Sequence, residues 1–103
     1  MKYTINSFQV DIINCINLCK AEIVKRKKDI SGESTMEQLE NVILPELEAL
    51  LQKAKVGNLP PKADRYLNSF ANAFRVWGWD METPTELFVK LTELNNNYRD
   101  LEE

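Results

Sequence analysis

Seven residues near the start of the chain, Ile5, Phe8, Ile12, Cys15, Ile16, Cys19 and Ile23, fall within one stripe about 100° wide when successive positions are placed at helical spacing. A strand alternates faces at every residue and cannot gather such a set on one side, so this pattern commits the segment to an amphipathic helix. Ile13 and Val24 widen one flank of the stripe, and Thr4 or Ser7 is placed to serve as N-cap. The run Lys25-Arg26-Lys27-Lys28 closes the segment, where cations favour the negative end of a helix.

The same spacing recurs three more times. After the break Ile30-Ser31-Gly32-Glu33, the string Ser34-Thr35-Met36-Glu37 fits a capping box with Ser34 as cap. Met36, Leu39, Ile43, Leu47, Leu50 and Ala54 then share a face, and Gly57 stands where a left-handed C-terminal cap is needed. Pro45 interrupts this second segment and removes one backbone donor. It lies on the face away from the stripe, so it either bends the helix around the core or breaks it into two short ones. Leu59-Pro60-Pro61 is a stiff connector to a third stripe, made by Ala63, Tyr66, Leu67, Phe70, Ala73, Phe74 and Trp77 and ended by Gly78. Thr83-Pro84-Thr85-Glu86 offers Thr83 as N-cap, proline at the first helical position and glutamate at the third. Leu87, Leu91, Leu94, Tyr98 and Leu101 follow in a seven-residue repeat.

No segment alternates with period two, so no sheet is expected. The reading is an all-α, antiparallel up-down-up-down four-helix bundle in a single domain, residues 1–103, with helices at about 5–29, 35–56, 61–77 and 84–101 and the second kinked or broken near Pro45. Charge agrees with that order. Residues 1–30 and 60–79 are net positive, 31–59 and 80–103 net negative, so each helix follows one of opposite sign. Exposed pairs contribute only a few tenths to one kcal/mol, so the stripes carry the fold and charge biases the arrangement.

Function is less constrained. The chain has no histidine, which removes Ser-His-Asp and Cys-His catalysis and His-ligated zinc. No glycine-rich phosphate loop or nucleophile motif appears. The formal charge of −3 makes nucleic acid a poor partner, since phosphate contacts need an excess of Lys and Arg. No window is apolar enough for a membrane span, and the N-terminal residues lack a signal-peptide core, so a cytoplasmic setting is expected. Cys15 and Cys19 stand four apart on the buried stripe and read as core packing before they read as a redox pair or half a metal site. The acidic residues Glu33, Glu37, Glu40, Glu46, Glu48, Asp80, Glu82, Glu86 and Glu93 read as solvated faces, with Glu40 nearest a stripe edge. The basic run at 25–28 reads as helix termination. Asn95, flanking the last stripe, reads as part of a solvated turn or else as a buried polar residue that sets register.

One segment is left over. In Arg75-Val76-Trp77-Gly78-Trp79-Asp80-Met81, Trp79 and Met81 lie past the helix end, and Trp79 either caps the core or stands exposed as an anchor. Arg75, Trp79, Asp80 and Met81 are therefore the candidate partner-binding residues. The leading expectation is a small, acidic, non-catalytic interaction module of the adaptor, antitoxin or immunity type, binding another protein or itself without a cofactor. The alternative is a small-ligand carrier or sensor with a pocket lined by Tyr66, Phe70, Phe74, Trp77, Phe88 and Tyr98.

Overall fold

The computed structural model describes residues 4–30, 35–65, 67, 71–72, 75–79, 82 and 85–101. These residues are mostly helical and include no strand. Helix α1 spans Ile5–Lys27. A second helical stretch runs from α2, Met36–Gln38, through a π-helical turn, Leu39–Ile43, into α3, Leu44–Lys55. A 3₁₀ turn covers Lys62–Asp64, and α4 spans Glu86–Asp100. Between the 3₁₀ turn and α4, Ala71 N–H donates to the Leu67 carbonyl at 3.1 Å and Val76 N–H to that of Asn72 at 2.8 Å, so helical turns persist there. Most of the expected third stripe, Tyr66, Phe70, Ala73 and Phe74, lies outside the described residues.

Local chemistry explains where the helices begin, with two corrections to the sequence reading. Thr4 caps α1, its hydroxyl accepting from Ser7 N–H at 3.2 Å. The second stretch starts one residue later than expected. Thr35, not Ser34, is the cap, and Gln38, not Glu37, completes the box: Gln38 N–H donates to the Thr35 hydroxyl and Thr35 N–H to Gln38 Oε1, both at 3.1 Å. A glutamine side chain closes the box as well as glutamate, because only its acceptor oxygen is needed. The start of α4 likewise moves from Thr83 to Thr85, whose hydroxyl accepts from Phe88 N–H at 3.2 Å. Two threonines stood two residues apart, and the one that places Leu87, Phe88 and Leu91 inward together is the cap.

Pro45 does not break its helix. Leu44 N–H reaches back five residues to the Leu39 carbonyl, which widens the turn immediately before the proline. In α geometry the pyrrolidine ring would press on the carbonyl four residues earlier; the wider turn relieves that contact. It also suits the spacing of the stripe. Leu39, Ile43 and Leu47 advance by two steps of four, each of which drifts about 40° on a regular helix, yet all three are fully buried.

The C-terminal turns of α3 and α1 are stapled. Asn58 N–H donates to the Lys53 carbonyl at 2.8 Å and Gly57 N–H to that of Ala54 at 3.3 Å, with Gly57 at φ +70°. The same pair of bonds ends α1, from Ile30 to Lys25 at 2.9 Å and from Asp29 to Arg26 at 3.1 Å. There the left-handed position is held by Asp29, at φ +61°, a residue with a Cβ.

Helix α1 lies between α3 and α4 and packs on both. Phe8, Ile12, Cys15, Ile16, Cys19 and Ile23 meet Leu39, Ile43, Leu47, Leu50 and Ala54 on one side and Leu87, Phe88, Leu91, Leu94, Tyr98 and Leu101 on the other, with Leu67 and Trp79 joining the same core. Phe8 stacks on Tyr98 at 5.3 Å between ring centroids. Ile5 and Met36 are half-buried at the margins. Ile13 and Val24, expected to widen the α1 stripe, are exposed instead. Two flanking helices cover an arc of α1 centred on the main stripe, and neither reaches the far flank.

Candidate functional site

The leftover aromatic segment turns inward. Trp79 is only 3% exposed. Its indole sits edge-on to Phe88 at 5.5 Å and tilted against Trp77 at 5.5 Å. The ring therefore takes the core-capping place, the first of the two readings the sequence offers for it, and is not an exposed anchor. A free-energy argument accounts for this choice: burying an indole removes well over 150 Å² from water, worth a few kcal/mol, which a connector of only a few residues readily accommodates. Its Nε1 is buried and has no hydrogen-bond partner among the described residues. Gly78, at φ +66°, provides the left-handed turn between the two tryptophans. Arg75 and Val76 are exposed, Trp77 is half-buried, and Asp80 and Met81 lie outside the described residues.

The cysteines are packing residues. Cys15 donates its thiol toward the Lys90 carbonyl at 3.6 Å and Cys19 toward that of Leu39 at 3.7 Å, so each tethers α1 weakly to a neighbour. Burial pushes the Cys15 thiol up to about 12, with the Asp11 carboxylate acting in the same direction, and the Cys19 thiol up to about 11, with Glu48 and Glu22 adding to it. Thiols held protonated in this way are poor nucleophiles and poor ligands. Among the described residues, no three carboxylates or thiols converge as a metal-binding group. Glu40, the carboxylate nearest a stripe edge, is exposed on the π turn. Of the basic run, Arg26 and Lys25 both pair with Glu22, at 2.9 and 3.0 Å, and Arg26 also donates to the Ile30 carbonyl at 2.8 Å. These cations are engaged in finishing their own helix.

Two polar residues buried in the structure carry more weight than their sequence signal. Asn95 is buried, and its Oδ1 accepts from Leu67 N–H at 2.9 Å, so it is the buried polar residue of the two sequence readings and not part of a solvated turn. Arg65, which the stripes did not single out, is only 7% exposed. Its Nε donates to the Pro60 carbonyl at 2.8 Å, and its Nη1 to the Leu101 carbonyl at 2.7 Å and the Tyr98 carbonyl at 3.5 Å. Its guanidinium lies over the Tyr98 ring, 5.8 Å from the centroid. Arg65 and Asn95 thus lock the 60–67 segment onto the end of α4. The signal available in the sequence was a lone arginine between an acidic turn and an apolar stripe, which does not distinguish burial from exposure.

The described aromatic residues proposed to line a ligand pocket also pack: Trp77 and Phe88 against Trp79, and Tyr98 against Phe8 and Arg65, although Tyr98 borders the first of the grooves below as well. The larger surface depressions are open grooves. One of 640 Å³ lies between the second helical stretch and the 60–67 segment, bordered by Pro45, Glu46, Lys53, Pro60 and Asp64. Another of 620 Å³ lies between α1 and α3, bordered by Ile13, Asn17, Lys20, Glu48, Ala49 and Gln52.

Beside that second groove, α1 presents a second face. Val10 is 56% exposed, Ile13 42% and Val24 49%, and Asn6, Asn17 and Ala21 are exposed on the same side. The face lies opposite the core stripe, and Lys20 at its rim is the one charge bordering the stretch from Asn6 to Val24. A helix with one buried and one solvated face ordinarily carries charges on the latter.

Comparison with protein-family models, curated proteins and solved structures finds no match for this chain. Among the described residues, no helix is long and apolar enough to cross a membrane.

Proposed function

We propose that this protein is a small, non-catalytic interaction module that works by surface complementarity, with the outward face of α1 as its contact surface. The observation that carries the reading is that face itself: three exposed branched apolar side chains, amides and one alanine, on a helix whose core stripe is already complete. Scattered apolar residues on a surface are ordinary, but several aligned along one helix and bordered by an open groove form a surface suited to another helix. The two buried thiols, held protonated, are poor nucleophiles, which fits a non-catalytic reading.

The same proposal includes the finer architecture. The remaining helix of an up-down-up-down four-helix bundle comes from the later part of the 61–77 segment, after the 3₁₀ turn at Lys62–Asp64. Supporting it are the helical hydrogen bonds between residues 67 and 76 and the position of α1 between α3 and α4, as at one corner of a square bundle. A cytoplasmic location belongs to the proposal as well, resting on two free, buried, proton-holding cysteines.

The test is a paired variant, Val10→Glu with Ile13→Glu. Both side chains are exposed, so the helical circular dichroism and melting temperature are expected to stay within a few degrees of the parent. Partner capture by the immobilised protein is expected to be lost. Capture of the same proteins, at the same yield, by parent and variant would overturn the assignment of the surface.

A further inference from the structure

The outward face of α1 is self-complementary. Val10, Ile13, Asn17, Ala21 and Val24 lie within an arc of about 80° at 100° per residue. Laid antiparallel against a copy of itself with Asn17 on the axis, the helix brings Val10 opposite the partner's Val24 and Ile13 opposite the partner's Ala21, each match occurring twice. Valine then meets valine, isoleucine meets the small alanine, and the central asparagines face each other with matched donors and acceptors. We infer that two copies of this chain associate through this face, α1 against α1, about a two-fold axis passing near Asn17.

Charge selects the same arrangement. The basic run Lys25, Arg26, Lys27 and Lys28 sits at one end of α1. A parallel pairing would bring eight cations together. The antiparallel pairing separates the two runs by about 27 Å at 1.5 Å per residue, well beyond the Debye length of roughly 8 Å at physiological salt. It also sets each helix's positive N-terminal end beside the negative C-terminal end of the other. The groove shared with α3, bordered by Asn17, Ala49 and Gln52, widens the contact beyond a single helix pair. The contact is small by the standards of permanent dimers, which bury about 2,000 Å² or more, so the pairing is reversible, with a dissociation constant in the micromolar to millimolar range.

The inference rests on the reading of this face as a contact surface, and the experiments separate the two. Asn17→Cys is expected to form a disulfide-linked dimer under mild oxidation much faster than Asn96→Cys, an exposed control on α4. Val10→Cys and Val24→Cys are each expected to cross-link poorly alone and efficiently when mixed, because only the mixture places the two thiols opposite each other. Native Cys15 and Cys19 are buried and protonated and supply a constant background. Sedimentation velocity across a concentration series is expected to show the mass rising toward twice the monomer, and Val10→Glu with Ile13→Glu to hold it at the monomer. Overturning results are equal cross-linking of Asn17→Cys and Asn96→Cys, stronger cross-linking of Val10→Cys alone than of the mixture, or a monomer mass throughout. If pairing fails in these ways while the double glutamate variant still loses captured proteins, the face serves a different protein, and only the second-copy inference falls.

Discussion

Replacing Arg65 is expected to unfasten the 60–67 segment from α4, at a cost that follows from its bonding. In Arg65→Met the side chain keeps much of its apolar length but donates nothing, so the carbonyls of Pro60 and Leu101, now bonded at 2.8 and 2.7 Å, lose their partner. A buried acceptor left without a donor costs about 1–3 kcal/mol. Pro60 is half-buried and so contributes toward the low end, and Leu101, buried, toward the high end. The contact with the Tyr98 ring and the charge at the negative end of α4 add roughly 1 kcal/mol together. Relief of the arginine's own desolvation offsets part of this. The net expectation is a loss of about 3 kcal/mol, or some 12–20 °C in melting temperature for a domain of this size. Arg65→Lys keeps a cation but not the fork, and is expected to lose about half as much. Urea denaturation followed by circular dichroism measures both, and repeating it in 1 M salt tests the cause: buried bonds persist where a surface ion pair would be screened. A Met variant within about 0.5 kcal/mol of the parent, the range of an ordinary surface substitution, would refute the reasoning.

Asn95→Leu is expected to cost about 2 kcal/mol, the price of orphaning Leu67 N–H, and the Leu67 amide should lose its hydrogen-exchange protection selectively. Asp29→Gly should raise stability by about 1 kcal/mol, because glycine adopts the left-handed position ending α1 without strain and removes an acid from the negative end of the helix. Gly57→Ala should lower it by a similar amount, although open space surrounds its Cβ position, since the φ of +70° alone sets the penalty; thermal melts check both. The two cysteine thiols hold their protons in the fold, at about 12 and about 11 against an ordinary 9.0, so the unfolded chain ionises first. Stability is full below pH 9 and declines as pH rises toward 11–12; Tyr98, also raised by burial, adds to the same slope. Cys15→Ala with Cys19→Ala should flatten that decline in melts between pH 8 and 10.5.

The stripes were legible because period and burial are the same fact seen twice. Every residue of the α1 stripe except half-buried Ile5 is in the core, and so is the whole Leu87-to-Leu101 repeat. The caps were legible to within one or two residues: Thr35 and Thr85 each sit close to another hydroxyl residue, and only the packing of the following helix chooses between them. Pro45 announced a disturbance without stating its form. A bend, a break and a π turn all answer a missing donor, and the structure takes the π turn, with Leu39, Ile43 and Leu47 all buried along it. The candidate site is the least legible part. Spacing leaves Trp79 open between cap and anchor, and it does not separate the exposed apolar face of α1 from the edge of the core, because Ile13 and Val24 lie next to the stripe in angle and no sequence rule says how far a neighbouring helix reaches.

Periodicity and composition determined that this chain is helical, which residues form the central core stripes and that histidine-dependent chemistry is absent, since these depend on residues close in sequence or on residue content alone. Tertiary structure decided where Trp79 points, that Arg65 and Asn95 are buried, how Pro45 is accommodated and which flank of α1 stays wet. Each of those depends on atoms tens of residues away, such as the Leu101 carbonyl that receives Arg65 or the Phe88 ring that receives Trp79. Local spacing has no term for a partner brought near only when the helices have packed.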